Sequence, residues 1–500
     1  MEKILFISII LSLLSANNSC IISSDNRDIY RQEYIVHEQI QSENFIIHFT
    51  TANDDFQDIN GELYNLQSNY GYAQSIIDLA EYSLNLYLEN GWEDLPPDCD
   101  ESITDFNSPN HCINFGGNAL YDIYISNDGP GMVVPENSYS VEPYNGGRTS
   151  YMKISTLSNN YESVPSWGHH VVAHEVHHSI QLRYGTGTSG PWGDYIHNGW
   201  FFEQTASYME NVVFPNSNHL YTMLANCDVV TPLTVPNYGV DYPAEIYPYR
   251  SALWQKYLVE STGDSSITRY MWEDYGLQFS SGEQVSLLPI YEESINIATD
   301  NQYTLTEAFN DYALWRYFTG TRSIQNIFFE ESIGYCTSLT FDIGDTYSLW
   351  SNRGGAYFIN LPQEATNLKI SSNFISNLNC THLAISSTNE FILSPLLLDN
   401  NDNYISIDSF PDGNQVLIFN TNYNDAISNQ ISFTILLDQP GLIGDLNYDG
   451  EINVVDVVIV VNFALFITIP NESELILADL NEDGSINIMD VVQLINIILN

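Results

Sequence analysis

Basic residues are scarce. The 500-residue chain has 13 lysines and arginines against 63 aspartates and glutamates, a net charge of −50. So acidic a surface repels phosphate backbones and anionic lipid, which excludes nucleic acid as a partner and favours divalent cations. Cysteine is rare too, with six in all, too few for a disulfide scaffold. No stretch of eighteen uninterrupted apolar residues occurs, so no transmembrane anchor is expected. Charged residues make up 15% and apolar ones 44%, a balance that permits large cores and excludes wholesale disorder. The length fits about two to four domains.

Met1-Glu2-Lys3, the hydrophobic stretch from Ile4 to Leu14 and the small and polar residues through Ser19 read as a signal peptide over 1–19. Cys20 opens the alternative of a lipid anchor, although Asn17, Asn18 and Ser19 are poor for a lipoprotein signal. A secreted or cell-surface protein is expected.

Residues 28 to about 330 form one expected domain. In its first part Phe45–Thr50, Tyr121–Ile125 and Ser150–Ile154 read as strands, with a turn at Asp128-Gly129-Pro130-Gly131. Residues 71–90 read as a helix whose apolar face is Ala73, Ile77, Ala80, Leu84 and Leu88. Its second part is mostly helical, most clearly at Ser166–Tyr184, Trp200–Val213, Ala252–Ser261 and Leu305–Phe318. From 335 to 440 short β-rich runs alternate with Asn/Asp/Gly/Ser turns, the spacing of a β-sandwich accessory domain. Cys99 and Cys112 are candidates for a local disulfide, Cys336 and Cys380 for one inside the sandwich, and Cys227 has no obvious partner. Asp98 and Asp100 read as a solvated turn.

The chemically informative stretch is His169–Gln181. His174 and His178 are four apart, so a helix stacks them on one face, where they can offer two imidazole nitrogens to one ion. Glu175 is rotated away from the ion toward a water on it, as the H-E-x-x-H pattern of zinc peptidases requires. Zinc at an open site lowers the pKa of its water to about 7, and an adjacent carboxylate can then take the proton. A third ligand is expected from the helix at Trp200–Glu210, where Glu203, Ala206, Ser207 and Glu210 share a face. Glu203 is the candidate ligand and Glu210 a hydrogen-bond acceptor for a ligand histidine. His170 is a rival ligand by position, but a satisfied core or surface histidine is the simpler reading for His169, His170 and His177.

His174-Glu175-x-x-His178 with Trp200-x-x-Glu203-x-x-Ala206-x-x-x-Glu210 resembles the gluzincin metallopeptidases, over roughly residues 40–330. The resemblance implies an α+β zincin-like domain, zinc on His174, His178 and Glu203, Glu175 as general base, and Tyr249 as donor to the oxyanion. Gln204 stands where that family usually has glycine.

Residues 441–500 have ten acidic residues and no lysine or arginine. Aligning 444–465 with 478–499 gives 12 identities in 22 at a spacing of 34. Each copy opens with oxygen-bearing residues at loop positions 1, 3, 5, 7, 9 and 12 and glycine at 6, as calcium loops do. These are Asp445, Asn447, Asp449, Glu451, Asn453 and Asp456 around Gly450, then Asp479, Asn481, Asp483, Ser485, Asn487 and Asp490 around Gly484. Glu451 and Ser485 need offer only backbone carbonyls. Apolar helices follow at Val457–Leu465 and Val491–Leu499. The pair resembles a type I dockerin, a small all-α calcium-binding domain that docks onto cohesins, commonly through small polar residues at loop positions 10 and 11. Here Val454-Val455 and Ile488-Met489 occupy those positions.

The expected whole is a multidomain, exported zinc endopeptidase acting on a protein or peptide substrate. Its cofactors are zinc and calcium, and a cohesin-like protein is a candidate partner. The alternative is a non-catalytic adhesion or carbohydrate-binding protein with a degenerate protease-like domain.

Overall fold

A computed structural model describes residues 31–57, 63–108, 111–127, 129–156, 167–185, 193–216, 219–243, 246–282, 284–324, 327–343, 346–350, 353–363, 365–373, 377–398, 403–407, 410, 412–422, 430–437, 443–447, 451–470, 472–481 and 483–499. The expected leader at 1–19, Cys20, Asp128, Ser166, Asp449 and Gly450 lie outside the described residues. The chain divides into two units, Met1–Leu339 with Asn352–Ala356, and Thr340–Ser351 with Tyr357–Asn500.

The first unit opens with strands β1 (Glu38–Gln41) and β2 (Phe45–Phe49), a short hairpin of β3 (Asp55–Gln57) and β4 (Leu63–Asn65), and helix α1 (Tyr70–Glu89). Strands β5 (Tyr121–Ser126), β6 (Gly131–Val141) and β7 (Tyr144–Ser155) follow. The sheet order is β1-β2-β5-β7-β6. Strands β2, β5 and β7 run parallel, and β1 and β6 flank them antiparallel. Both β2 and β5 are buried at every position, as parallel strands covered on both faces are. The expected turn at 128–131 is cut short, because Gly131 already opens the edge strand β6.

Asn69 caps α1 by accepting from the Tyr72 N–H. The buried stripe of α1 is Tyr72, Ala73, Ile76, Ile77, Ala80, Ser83, Leu84 and Tyr87. Leu88, expected on it, is 36% exposed, and Tyr87 carries the buried stripe into the last turn. The Tyr87 hydroxyl donates to the Ala173 carbonyl at 3.0 Å and so fastens α1 to the next helix.

The rest of this unit is helical, with α2 (Trp167–Tyr184), α3 (Gly193–Val213), α4 (His219–Leu224), α5 (Tyr247–Arg250), α6 (Ala252–Thr262), α7 (Ile267–Ser281), α8 (Leu287–Ala298) and α9 (Leu305–Tyr317). Cys99 and Cys112 form a disulfide. Cys227 is bonded to Cys336 across 109 residues, which overturns the expected Cys336–Cys380 pair. The Cys336 N–H donates to the Leu224 carbonyl, bringing that cysteine to the end of α4. Cys380 is reduced and buried. Asp98 also departs from expectation. It is fully buried and accepts a hydrogen bond from Arg31 at 2.7 Å, and Arg31 also holds Glu136 and Asp122.

In the second unit, β8 (Phe341–Asp342), β9 (Thr346–Trp350), β10 (Ala356–Leu361), β11 (Asn367–Ser372), β12 (Leu378–Ile385), β13 (Phe391–Leu396), β14 (Asn403–Ser406), β15 (Asn414–Thr421) and β16 (Gln430–Leu437) make two sheets. Their orders are β13-β12-β15-β10-β8 and β14-β11-β16-β9. One core joins them, with Ile359, Leu417 and Phe419 from the first and Leu349, Ile370 and Phe433 from the second. The tail has a separate core of Leu446, Val460, Phe463, Leu477, Ala478, Val491 and Leu494. Its helices are α10 (Val454–Ala464), α11 (Glu472–Ala478) and α12 (Ile488–Leu499). The first and last start earlier than expected, at loop position 10, and α11 is an addition.

Candidate metal centre

Every residue of α2 from Gly168 to Tyr184 is buried except Val171. A helix enclosed on all sides must find partners for each polar side chain. His174 and His178 find one together. The Nε2 atoms of His174 and His178 lie 3.1 Å and 3.2 Å from the same oxygen, Oε2 of Glu203 on α3. All three side chains are buried, and their donor atoms lie within 4.8 Å of one another.

The opposite ring nitrogens define the tautomers. His174 Nδ1 is 2.7 Å from Glu210 Oε1, and His178 Nδ1 is 2.7 Å from Gln181 Oε1. Both oxygens can only accept, so both Nδ1 atoms donate. The Gln181 amide is fixed in turn, donating to the Phe202 carbonyl and the Thr205 hydroxyl. Each Nε2 therefore turns a lone pair toward a carboxylate oxygen that also carries lone pairs. Burial lowers the pKa of His178, opposing a charged ring. Burial opposes the charge on the Glu203 carboxyl too, and in this tautomer neither Nε2 offers it a proton. A cation among the three atoms meets both demands, so the donor set fits a metal ion.

Glu175, next to His174, is 1% exposed. A Cβ added to Gly131 would come within 2.9 Å of Glu175 Oε1 and 2.5 Å of Val171 Cγ1. The start of edge strand β6 therefore lies against Glu175, a proximity hidden in the sequence because Gly131 read as a turn residue. Tyr249 on α5 stacks on His174, with ring centroids 5.6 Å apart and planes 18° apart.

The other histidines of α2 go elsewhere. His177 meets Trp92 and Tyr87 edge-on, at centroid distances of 4.7 Å and 5.3 Å. The His169 ring lies against Phe214. His170 lies near Glu210 Oε2, with Nδ1 at 3.7 Å, and burial lowers its pKa to about 4. His219 on α4 approaches the same oxygen at 2.5 Å. Burial opposes the charge on Glu210, but His219 and His174 hold its pKa down to about 2. Gln204 is a buried hub. Its amide donates to Val240 O and Ser251 Oγ, and its oxygen accepts from Gln255 and Tyr291, tying α3 to α6 and α8.

In the tail, Asp456 and Asp490 at loop position 12 are fully buried. Asp456 accepts from the N–H groups of Leu446, Asn447 and Asn453, and Asp490 from those of Asn481 and Asn487. Asp479 accepts from the N–H groups of Asp483 and Gly484, and Gly484 has φ +82°, the left-handed conformation that the sharp turn needs. Residues 443–499 match the Dockerin type I domain. The tail is a type I dockerin domain. Dockerins bind calcium, and the domain supports attachment through a cohesin. Residues 144–315 match a family of unknown function, DUF6055. That span holds β7, both helices of the histidine–glutamate cluster and Tyr249. A comparison with curated proteins found no match. Among the described residues no helix is long and apolar enough to cross a membrane.

Proposed function

We propose that the chain is an exported zinc-dependent endopeptidase that its dockerin attaches to a cohesin-like partner. One observation carries the reading, the convergence of two imidazole Nε2 atoms and one Glu203 oxygen, with both Nδ1 atoms committed to acceptors. Two histidines and a carboxylate are a zinc donor set, and three protein ligands leave a catalytic zinc one exchangeable position. His174, His178 and Glu203 would hold the zinc, which would supply Lewis acidity to acidify a water and polarise a carbonyl. Glu175 accepts the water's proton and hands it to the leaving amine. Tyr249, beside His174, donates a hydrogen bond to the oxyanion. An extended peptide adds to the free edge of β6, where Gly131 lets its backbone come near Glu175. The mixed sheet against which α2 packs is compatible with this zincin-like reading.

In the dockerin the side chains of Asp445, Asn447, Asp449, Asn453 and Asp456, and of Asp479, Asn481, Asp483, Asn487 and Asp490, hold two calcium ions, with Glu451 and Ser485 using carbonyls. Val454, Val455, Ile488 and Met489 are each at least half exposed, so an apolar cohesin surface is the matching partner. Metal analysis of the purified chain, with casein digestion before and after chelation, tests the enzyme. Zinc and a chelator-sensitive activity are expected. Zinc without hydrolysis of any protein substrate would favour the adhesion alternative.

A further inference from the structure

Beyond the His174 cluster, a second set of donors converges. His170 on α2, Glu210 on α3 and His219 on α4 each place one donor atom within 4.8 Å of the other two. We propose that these three residues form a second transition-metal site, next to the first and sharing a carboxylate with its surroundings.

The two helices run antiparallel here, since His170 faces Glu210 while His178 faces Glu203. The histidine–glutamate pairing is thereby repeated along the same helix interface. Glu210 divides its oxygens between the two places. Oε1 lies 2.7 Å from His174 Nδ1. Oε2 lies 2.5 Å from His219 Nδ1 and 3.7 Å from His170 Nδ1. The rings of His170 and His219 flank that oxygen with centroids 4.8 Å apart. His170 and Glu210 are almost fully buried, and the His219 side chain is 23% exposed, which leaves an ion a route in from solvent. Two imidazoles and a carboxylate select borderline ions such as zinc, cobalt or nickel, whereas calcium and magnesium prefer all-oxygen sets. One Glu210 oxygen is already engaged by His174, so the second ion should bind more weakly than the first.

The test uses the full chain, stripped with chelator, returned to calcium and titrated with zinc. Wild type should bind two zinc ions per chain in two affinity steps. His219→Ala should lose the weaker step and keep the tighter one, and His219→Gln, which retains a polar side chain, should do the same. Glu203→Ala should lose the tighter step. A wild type that saturates at one zinc, itself lost in Glu203→Ala, would overturn the second site and leave the peptidase reading intact. A weaker step unchanged in both His219 variants would also overturn it.

Discussion

Glu175 and His178 lie within one turn of α2, yet substitution should separate metal binding from chemistry. Glu175→Gln leaves all three zinc ligands in place but removes the proton acceptor. It should keep zinc and lose about 10²–10⁴-fold in turnover. His178→Ala should lose the metal itself. Zinc content and casein turnover measured on both variants check the pair, and full turnover in Glu175→Gln would remove Glu175 from the mechanism. The convergence of the histidine pair was legible in the sequence because a helix stacks residues four apart on one face. Gln181, His219 and Gly131 were not, because each acts through a contact that no fixed spacing encodes. Asp98 misled in the same way, since beside Pro97 and Cys99 it reads as a turn, and only Arg31, 67 residues away, reveals its burial. Burial raises the Asp98 pKa to about 8 against the pull of Arg31. The folded chain therefore holds a proton that the unfolded chain releases above the ordinary aspartate pKa of about 3.9. Stability attributable to Asp98 should fall as pH rises from there through about 8. Thermal unfolding across that range should show a flatter slope in Asp98→Asn, and an identical slope would place the titration elsewhere.

Pairs of elements carry the site's precision. Helix α3 places Glu203 and Glu210 two turns apart, one toward the Nε2 atoms and the other toward His174 Nδ1. Removing a ligand deletes a bond, whereas removing the group behind a ligand typically weakens the metal by about 10–100-fold. Glu203→Ala should therefore lower affinity for the tighter zinc far more than Glu210→Ala, as read by competition with a chelator of known affinity. The opposite order would move the ligand assignment along α3. Among the elements, the periodic helices and alternating strands were readable, and the misses have local causes. Strand β6 begins on the last residue of a turn signal, α11 is only seven residues long, and the Cys227–Cys336 bond joins positions that only the folded chain brings together.

For the whole chain, a net charge of −50 favours the binding of divalent cations, and the tail, where carboxylates crowd, is the clearest case. Residues 441–500 carry ten acidic side chains and no lysine or arginine. Asp445, Asp456 and Asp490 are buried there, and a core of seven buried residues is small for holding them in place unaided. Backbone N–H groups orient Asp456 and Asp490 but do not neutralise them, so without calcium each loop repels itself. Calcium should cancel that repulsion and fix the start of α10 and α12 through position 12, which would couple binding to folding. A 443–499 fragment should gain helical circular dichroism as calcium is added, taking up about two ions, one per loop. Magnesium should substitute poorly, because it demands tighter octahedral geometry. Asp445→Ala and Asp479→Ala should each remove one ion while the other loop still binds. Equal helicity in chelator and in calcium would show that the small core folds alone, and a fragment that binds no calcium would remove the metal role of both loops.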